Sequence, residues 1–149
     1  MRIFIGGISG GIGSALASRL AASGDQVGGF GRKSEGWTRF CEEHPQYELQ
    51  EADARQSSEV DKAIESFVSK TGGLDAYVHA IGSVFLKPLH LVSDEDYHAV
   101  LGINLDSAFF ATRAAIRHMR RGEGGAILLF SSVAAVSGLA NHEAFAAAK

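Results

Sequence analysis

The sequence opens on an apolar run that leads directly into a glycine-rich turn. Residues 3–5 are Ile, Phe and Ile, and the following segment reads Gly7-Ile8-Ser9-Gly10-Gly11-Ile12-Gly13 before a helical pattern begins. Glycine allows a tight turn and a close approach of the backbone to a phosphate, and the N-terminus of the next helix offers free N–H groups and a partial positive charge. Because a strand precedes these glycines and a helix follows them, the segment predicts a nucleotide-phosphate site.

Strand and helix patterns alternate along the whole chain, without a linker or a repeat. We predict strands at 2–6, 26–31, 47–52, 74–81 and 126–131, helices at 14–23, 58–70, 93–121 and from 141 onward, and a loop with a short helix at 34–44. Strands that are apolar throughout, as at 126–131, are typical of a parallel sheet covered on both faces. The pattern therefore predicts one α/β domain over residues 1–149, a doubly wound, Rossmann-like parallel sheet in three layers.

The last predicted strand raises a question about the extent of the domain. A sheet that ends on Ile127-Leu128-Leu129-Phe130 leaves an apolar edge unpaired, and the helix after it is too short to be stable alone. We expect the chain to be the front part of a larger domain, incomplete at its C-terminus. The alternative is a partner chain that covers the edge.

Two helices have a predicted inward face. In the first helix Ala15, Leu16 and Leu20 are expected to point inward, and Gly24 to end the helix. The long helix at 93–121 begins on a capping-box pattern, Ser93 with Asp96. Its predicted apolar stripe consists of Leu101, Leu105, Ala108, Thr112, Ile116 and Met119.

Composition excludes several classes of function. Fourteen basic and seventeen acidic residues give a net charge of −3, which does not favour nucleic acid or an anionic membrane. No apolar run approaches the length that spans a bilayer. A single cysteine, Cys41, rules out an internal disulfide and fits the cytoplasm. The six histidines show no metal-ligand spacing, so no metal site is expected.

Two polar features follow the second and third strands. Arg32 and Lys33 stand where an acidic residue would accept the ribose hydroxyls of NAD, and two cations suit a 2′-phosphate. This interpretation predicts NADP(H) as the preferred cofactor, with NAD(H) possible, and the alternative is a solvated basic loop. Asp53 could accept from the adenine amino group, or it could be a turn or cap residue.

Three further polar residues form a candidate site when their spacing is considered together. Asn104 lies in the middle of a helix, where an amide is unfavourable, Ser132 ends the last strand, and Lys149 lies in the helix after it. Each alone has a plain structural explanation. Ligands of open parallel sheets bind at the carboxyl ends of strands, which makes the set a candidate site.

With these elements in place, the chain resembles the short-chain dehydrogenase/reductase superfamily. The matching motifs are Gly7-x-x-x-Gly11-x-Gly13, Asp53, Ile103-Asn104-Leu105 with Thr112-Arg113-Ala114-Ala115 behind it, and Ser131-Ser132-Val133-Ala134. The resemblance implies cofactor contacts at Gly7, Ser9, Gly11, Ile12, Gly13, Arg32, Lys33, Asp53, Ala80, Gly82 and Lys149. It also implies a homodimer or a homotetramer in which the long helix and the helix near residue 141 pair across a two-fold axis. Phe109-Phe110 then belongs to the core or to that interface.

The resemblance implies a catalytic set, of which this chain carries three members. Asn104 would organise a relay water, Ser132 would hydrogen-bond the carbonyl oxygen, and Lys149 would hold the nicotinamide ribose. In the family a tyrosine supplies the proton, and its hydroxyl pKa is lowered by that lysine. Here Phe145 occupies the tyrosine position, in Phe145-Ala146-Ala147-Ala148-Lys149.

Two other departures mark a divergent member. The family has threonine where this chain has Gly6, and Asn-Asn-Ala-Gly where it has His79-Ala80-Ile81-Gly82. In the family that threonine and an asparagine of the second motif help to tie the first and fourth strands together. Both side chains are absent here.

These observations lead to two hypotheses. The first is an NAD(P)-dependent oxidoreductase that transfers hydride between NADP(H) and a small carbonyl or alcohol substrate. The alternative is a catalytically silent NADP(H)-binding or cofactor-sensing protein of the same fold. Losing a positioned general acid lowers a rate by about 10² to 10⁴, whereas coenzyme binding should persist. His142 is the nearest substitute acid in sequence, or else an ordinary surface histidine.

Overall fold

A parallel sheet of five strands forms the centre of the computed structural model, which describes all 149 residues. The strands are β1 (Arg2–Gly6), β2 (Gln26–Gly31), β3 (Glu48–Glu51), β4 (Ala76–His79) and β5 (Ala126–Leu129). Their order across the sheet is β3-β2-β1-β4-β5. The strand order reverses between β1 and β4, which is the switch point at which such sheets bind ligands. The predicted doubly wound parallel sheet is confirmed.

Helices follow each strand. They are α1 (Gly11–Ala22), α2 (Glu35–Glu43), α3 (Ser57–Thr71), α4 (Asp94–Leu101), α5 (Ser107–Met119), α6 (Ala134–Ser137) and α7 (Glu143–Ala148). A 3₁₀ turn (Leu89–Leu91) precedes α4, and a π-turn (Gly102–Asp106) joins α4 to α5. The α6 helix, the 3₁₀ turn and the π-turn were not predicted. The α1 helix begins inside the glycine segment rather than at residue 14, since Gly10 is already its N-cap residue.

Side chains alternate between the two faces of the sheet and build one core on each face. On one face Phe4, Phe30 and Tyr77 pack against α3 and α5. On the other face Ile3, Ile5 and Val78 pack against α1 and α2. The two cores give the three layers that the sequence predicts.

The inward face of α1 differs in one position from the prediction. Leu16 and Leu20 pack against the second core as expected, but Ala15 is exposed and Ala17 is fully buried in its place. The end of the helix is as predicted, because Gly24 follows the cap with a φ of +83°.

The predicted apolar stripe of the long helix is wrong at two of its six positions. Leu105 and Ile116 are exposed, at 46% and 41% of their surface. The buried face instead carries mostly small residues, namely Asn104, Ser107, Ala111, Ala114 and Ala115, and Met119 is the one member of the predicted stripe that is buried. Val100 is also buried, but it packs against Phe145. Small side chains allow the helix to approach its neighbours closely, and the two polar ones are hydrogen-bonded.

Strand β5 lies at the edge of the sheet and pairs only with β4. The expectation that both of its faces are covered is wrong for this chain, because Leu128 and Leu129 are each about half exposed. The unpaired apolar edge that the sequence predicts is therefore present in the structure.

The helical segment from Asp94 to Met119 is long and apolar enough to cross a membrane by length and composition alone. The sequence contains no uninterrupted apolar run of this length, so a search for such runs does not identify the segment. Core helices of soluble proteins meet the same two criteria, and here α5 lies against α3.

Candidate functional site

A cavity of about 550 Å³ opens at the carboxyl ends of β1, β2, β3 and β4. It lies at the switch point of the sheet, where β1 and β4 are neighbours. Six of the residues predicted to contact a cofactor line it: Gly7, Ser9, Arg32, Asp53, Ala80 and Gly82. The wall on the far side comes from α4 and the π-turn through Ala99, Val100 and Ile103.

The three motif glycines of the turn differ in whether the structure has room for a side chain. Gly7 has a φ of +77°, and a Cβ atom there would lie 2.9 Å from the carbonyl oxygen of Ala80. A Cβ atom on Gly13 would overlap the carbonyl oxygen of Gly7, so this glycine lets α1 pack against the end of β1. At Gly11 the space is open. Two of the three motif glycines are thus needed to form the turn, and the third leaves its outer surface free.

The first turn of α1 offers unpaired donors beside this turn. Its N-cap residue, Gly10, has no side chain to accept from the N–H groups of Gly11, Ile12 and Gly13. None of these three residues lines the cavity itself, and Ile12 is 58% exposed. Free N–H groups and the helix dipole favour an anion at this end of the helix.

The two cations after β2 point to different places. Arg32 lines the cavity, together with Gly31 and Ser34. Lys33 does not line it and lies instead beside a shallow cleft on α2, with Glu35, Arg39 and Glu42 among its neighbours. The structure therefore brings only the first of the two predicted cations into the site.

A second cation reaches the cavity from the end of β3. Arg55 lines the wall and binds Asp53, with its Nη2 atom 2.6 Å from Oδ2 and its Nε atom 3.0 Å from Oδ1. The Arg55 guanidinium, with a smaller contribution from Arg32, lowers the pKa of the Asp53 carboxyl below its ordinary value. Arg55 was not among the predicted site residues, although the Asp-x-Arg spacing at the end of a predicted strand is present in the sequence. Asp53 is thus an ionised carboxylate whose charge is largely balanced.

Asn104 is buried and makes three hydrogen bonds. Its Oδ1 atom accepts from the N–H of Ser83 at 3.1 Å, and its Nδ2 atom donates to the carbonyl oxygens of Ser83 and Val100 at 3.0 and 3.1 Å. A Cβ atom on Gly82 would lie 3.0 Å from this Oδ1 and 3.1 Å from Lys149 Nζ. Asn104 and Lys149 therefore meet at Gly82, on the edge of the cavity.

Lys149 and Ser132 lie outside the cavity wall. The Lys149 Nζ atom donates to the carbonyl oxygen of Phe130 at 3.2 Å, and partial burial lowers its pKa. Ser132 Oγ accepts from the N–H of Ala134 at 3.2 Å, at the start of α6. The serine is half-buried, and its hydroxyl hydrogen has no partner in the chain.

Phe145 is buried in a small apolar cluster and presents no polar atom. It packs with Val100, Ala134, Ala144 and Ala148, and the cavity residue Phe85 lies against the same cluster. His142 lies one turn earlier, with the centroids of the two rings 6.3 Å apart. Its Nδ1 atom is 2.8 Å from the carbonyl oxygen of Ala140, so it carries a hydrogen. The position that corresponds to the tyrosine of the resembled family is thus occupied by a phenylalanine ring that packs against apolar neighbours.

A buried polar network lies beneath the cavity and was not foreseen from the sequence. Tyr77 Oη is 2.8 Å from His79 Nδ1, His79 Nε2 is 3.1 Å from Ser107 Oγ, and Ser107 Oγ is 2.7 Å from the carbonyl oxygen of Ile103. Burial raises the pKa of the Tyr77 hydroxyl, and burial with the nearby Lys149 charge lowers the pKa of His79 to about 4. The available signal was the histidine in place of the family's asparagine.

Known proteins resemble this chain over most or all of its length. The sequence profile of the family described as short chain dehydrogenase matches residues 1–149. The hydroxynaphthalene reductase-like protein Arp2 of Metarhizium acridum is 37% identical over 99 residues, covering 66% of this chain and 36% of that protein. D-threitol dehydrogenase of Mycolicibacterium smegmatis is 29% identical over 150 residues, covering 96% of this chain and 56% of that protein.

A solved structure shares the fold. The crystal structure of a short-chain dehydrogenase from Streptomyces avermitilis superposes with a TM-score of 0.89 at 22% identity, over 99% of this chain and 55% of that one. The chain thus spans little more than half the length of this protein and of the threitol dehydrogenase.

Proposed function

The chain belongs to the short-chain dehydrogenase family, and from that premise we propose that it binds NADP(H) and transfers hydride between this coenzyme and a small carbonyl or alcohol substrate. The cavity at the switch point of the sheet supports this proposal, since six residues of the expected coenzyme site line it. Residues 1–149 are then the coenzyme-binding part of a single domain.

The preference for NADP(H) rests on Arg32. The position directly after β2, where an acid would accept the ribose hydroxyls of NAD, is occupied by Arg32, and this residue lines the cavity. The Asp53 carboxylate in the same cavity wall is bound by Arg55 and adds little net negative charge. This end of the cavity therefore favours an anion, and the guanidinium geometry suits a phosphate.

The rest of the chain fits a dinucleotide as well. Gly7 and Gly13 shape the turn, and the first N–H groups of α1 are free to receive a diphosphate. The backbone at Ala80 and Gly82 forms the wall that would face the adenosine ribose. When bound, the coenzyme would supply or accept the hydride.

Titration of NADPH and NADH by calorimetry tests the coenzyme assignment, and the chain offers a matched control. Arg32→Ala should weaken NADPH binding by about 10- to 100-fold, because a charge-assisted hydrogen bond contributes about 1.5 to 3 kcal/mol. Lys33→Ala should leave it unchanged, since Lys33 lies outside the cavity. NADH binding should be insensitive to both. Tighter binding of NADH than NADPH to the unaltered protein would overturn the assignment.

A second candidate function is favoured by Phe145. Its ring is buried in an apolar cluster and cannot donate a proton, so reduction of a carbonyl needs water, Ser132 or the substrate itself as the acid. In this alternative the protein binds NADP(H) without turnover, as a coenzyme sensor or scaffold. Coenzyme binding is common to both candidates.

The two candidates separate in an assay of NADPH oxidation with a panel of carbonyl compounds. Phe145→Tyr restores a hydroxyl at this position and should raise the rate by about 10² to 10⁴ if a missing acid limits it. Activity only in this variant supports the silent protein, and robust turnover by the unaltered protein supports the enzyme. His142→Ala is the control, because a loss of that turnover would assign the proton to His142.

We also propose a homodimer, or a tetramer built from it, in the cytoplasm. Leu105 in the π-turn and Phe109 and Ile116 on α5 present an apolar stripe to solvent, with Phe109 60% exposed. An apolar stripe of this kind suits a self-complementary helix–helix contact. The lone thiol of Cys41 is consistent with a reducing compartment.

A further inference from the structure

The directions of the hydrogen bonds in the buried network follow from its chemistry. Ser107 Oγ has a single hydrogen, which it donates to the carbonyl oxygen of Ile103. Toward His79 the hydroxyl can therefore only accept, so His79 Nε2 carries the hydrogen. The other nitrogen, Nδ1, is then an acceptor, and the Tyr77 hydroxyl donates to it. All three side chains are at least 97% buried, and each is satisfied.

The network connects the sheet to the π-turn. Tyr77 and His79 belong to β4, whereas Ser107 follows the π-turn and Ile103 lies within it. The Ser107 N–H bonds to the carbonyl oxygen of Gly102, five residues earlier, which is the bond that defines a π-turn. The Ser107 N–H is therefore turned away from the carbonyl oxygen of Ile103, which is its usual acceptor in an α-helix. The Ser107 hydroxyl donates to the Ile103 oxygen instead, and the Asn104 amide donates to the carbonyl oxygen of Val100.

Asn104 carries this connection to the cavity. It is the residue after Ile103, and its amide group holds both the N–H and the carbonyl oxygen of Ser83. Gly82 and Ser83 line the cavity, and Gly82 leaves room for the Asn104 amide and the Lys149 ammonium. A chain of contacts thus runs from β4 through the π-turn to the cavity wall.

We propose that His79 is a positioning residue, which by donating to Ser107 fixes the π-turn and so holds Asn104 against Ser83 at the wall of the coenzyme cavity. The inference rests on the proposed coenzyme site for its functional meaning, but the geometry it describes is independent of any ligand. Tyr77 orients the imidazole from the other side and does not touch the π-turn. Loss of the hydrogen bond between His79 and Ser107 should therefore have a different effect from loss of the hydrogen bond between Tyr77 and His79.

Amide hydrogen exchange at Ser83 reads the position of Asn104 without coenzyme. Ser107→Ala removes the acceptor of His79 and should speed exchange at Ser83 about 10-fold, the effect of one lost hydrogen bond, and weaken NADPH binding several-fold. Tyr77→Phe removes only the hydrogen bond between Tyr77 and His79. This variant should lower the thermal stability, but its Ser83 exchange rate and its NADPH affinity should stay within about twofold of those of the unaltered protein.

Replacements of His79 provide a second test should Ser107→Ala fail to fold. The amide nitrogen of His79→Gln can take the place of Nε2 and donate to Ser107, so this variant should keep Ser83 protected. His79→Asn is too short to reach Ser107 and can serve only Tyr77, so it should expose Ser83 as Ser107→Ala does.

The outcomes are distinct. Equal Ser83 exchange in Tyr77→Phe, Ser107→Ala and His79→Asn would overturn the inference, because the network would then contribute only to general stability. If the unaltered protein binds neither coenzyme, the proposed function fails, whereas the exchange pattern still decides the role of His79.

Discussion

At the scale of single residues, Gly6 and Tyr77 depend on each other. A Cβ atom on Gly6 would lie 2.5 Å from Tyr77 Oη and 3.1 Å from the Phe30 ring. The hydroxyl that serves His79 thus occupies the space that a side chain at position 6 would need. The glycine in place of the family's threonine and the histidine in place of its asparagine are two parts of one local arrangement.

This dependence predicts a non-additive pair of substitutions. Gly6→Ala should destabilise the protein by about 1 to 3 kcal/mol, because the added methyl group overpacks a closed core. In a Tyr77→Phe background the same change should be less destabilising, since the obstructing hydroxyl is gone. Urea unfolding of the four proteins of this cycle measures the coupling. Strict additivity would contradict the packing described for Gly6.

His79 should make stability fall in mild acid. Burial lowers its pKa in the folded protein to about 4, against an ordinary value of 6.5, so between these values the unfolded chain binds a proton that the folded chain does not. Stability is then fully present above pH 6.5 and is lost as the pH falls toward 4. At pH 4.5 the loss attributable to His79 should be about 2 to 3 kcal/mol.

The measurement compares urea unfolding at pH 7 and pH 4.5 in the unaltered protein and in His79→Gln. Carboxylates such as Asp75, whose pKa the Arg2 guanidinium lowers, titrate in both proteins and cancel in the comparison. The glutamine variant should lose less stability on acidification. An equal loss in both proteins would show that His79 is not the titrating group.

At the scale of elements, the α4 to α5 segment shows where a sequence pattern is sufficient and where it is not. The capping box of Ser93 and Asp96 forms as predicted, because it depends only on residues three apart. The buried face does not follow the largest apolar residues. Ala111, Ala114 and Ala115 face the core because close approach to α3 and the sheet requires small side chains.

Substitutions on the buried and the exposed face of the segment formed by the π-turn and α5 test this assignment. Ala111 is fully buried, so Ala111→Leu should destabilise the protein by about 1 to 3 kcal/mol through overpacking. Leu105→Ala lies on the exposed face and should change the stability of the monomer by less than about 0.5 kcal/mol. Thermal unfolding at low protein concentration compares them. A larger loss of stability in Leu105→Ala than in Ala111→Leu would support the apolar stripe predicted from the sequence.

Much of the fold was predictable, and the site was predictable in part. The strands β1 and β2, the glycine turn and the strand alternation follow from local patterns. The His79 network joins residues 28 positions apart and depends on hydrogen-bond direction, which no local pattern carries. Lys33 was predicted to line the cavity, but Arg55 lines it and Lys33 does not. The direction of a side chain after a strand depends on the packed structure, which the sequence pattern does not contain.

At the scale of the whole molecule, the stripe of Leu105, Phe109 and Ile116 should mediate self-association. Phe109→Asp places a charge in the middle of this stripe and should shift the protein toward monomer, with a dissociation constant raised about 10-fold or more. Val136→Asp is the control, since Val136 is equally apolar and 87% exposed but lies on α6. Analytical ultracentrifugation distinguishes the two. A monomeric unaltered protein would refute the assembly.

The lining of the cavity comes entirely from residues 7–103, whereas Ser132, Phe145 and Lys149 all lie later in the chain. In the proposed function, most of the residues that bind the coenzyme thus precede Ser132 and Phe145, and Lys149 is the one proposed coenzyme contact that follows them. On this proposal, a substitution at Ser132 or Phe145 removes a group that serves the reaction and leaves the lining of the cavity unchanged, so coenzyme binding can outlast the loss of turnover.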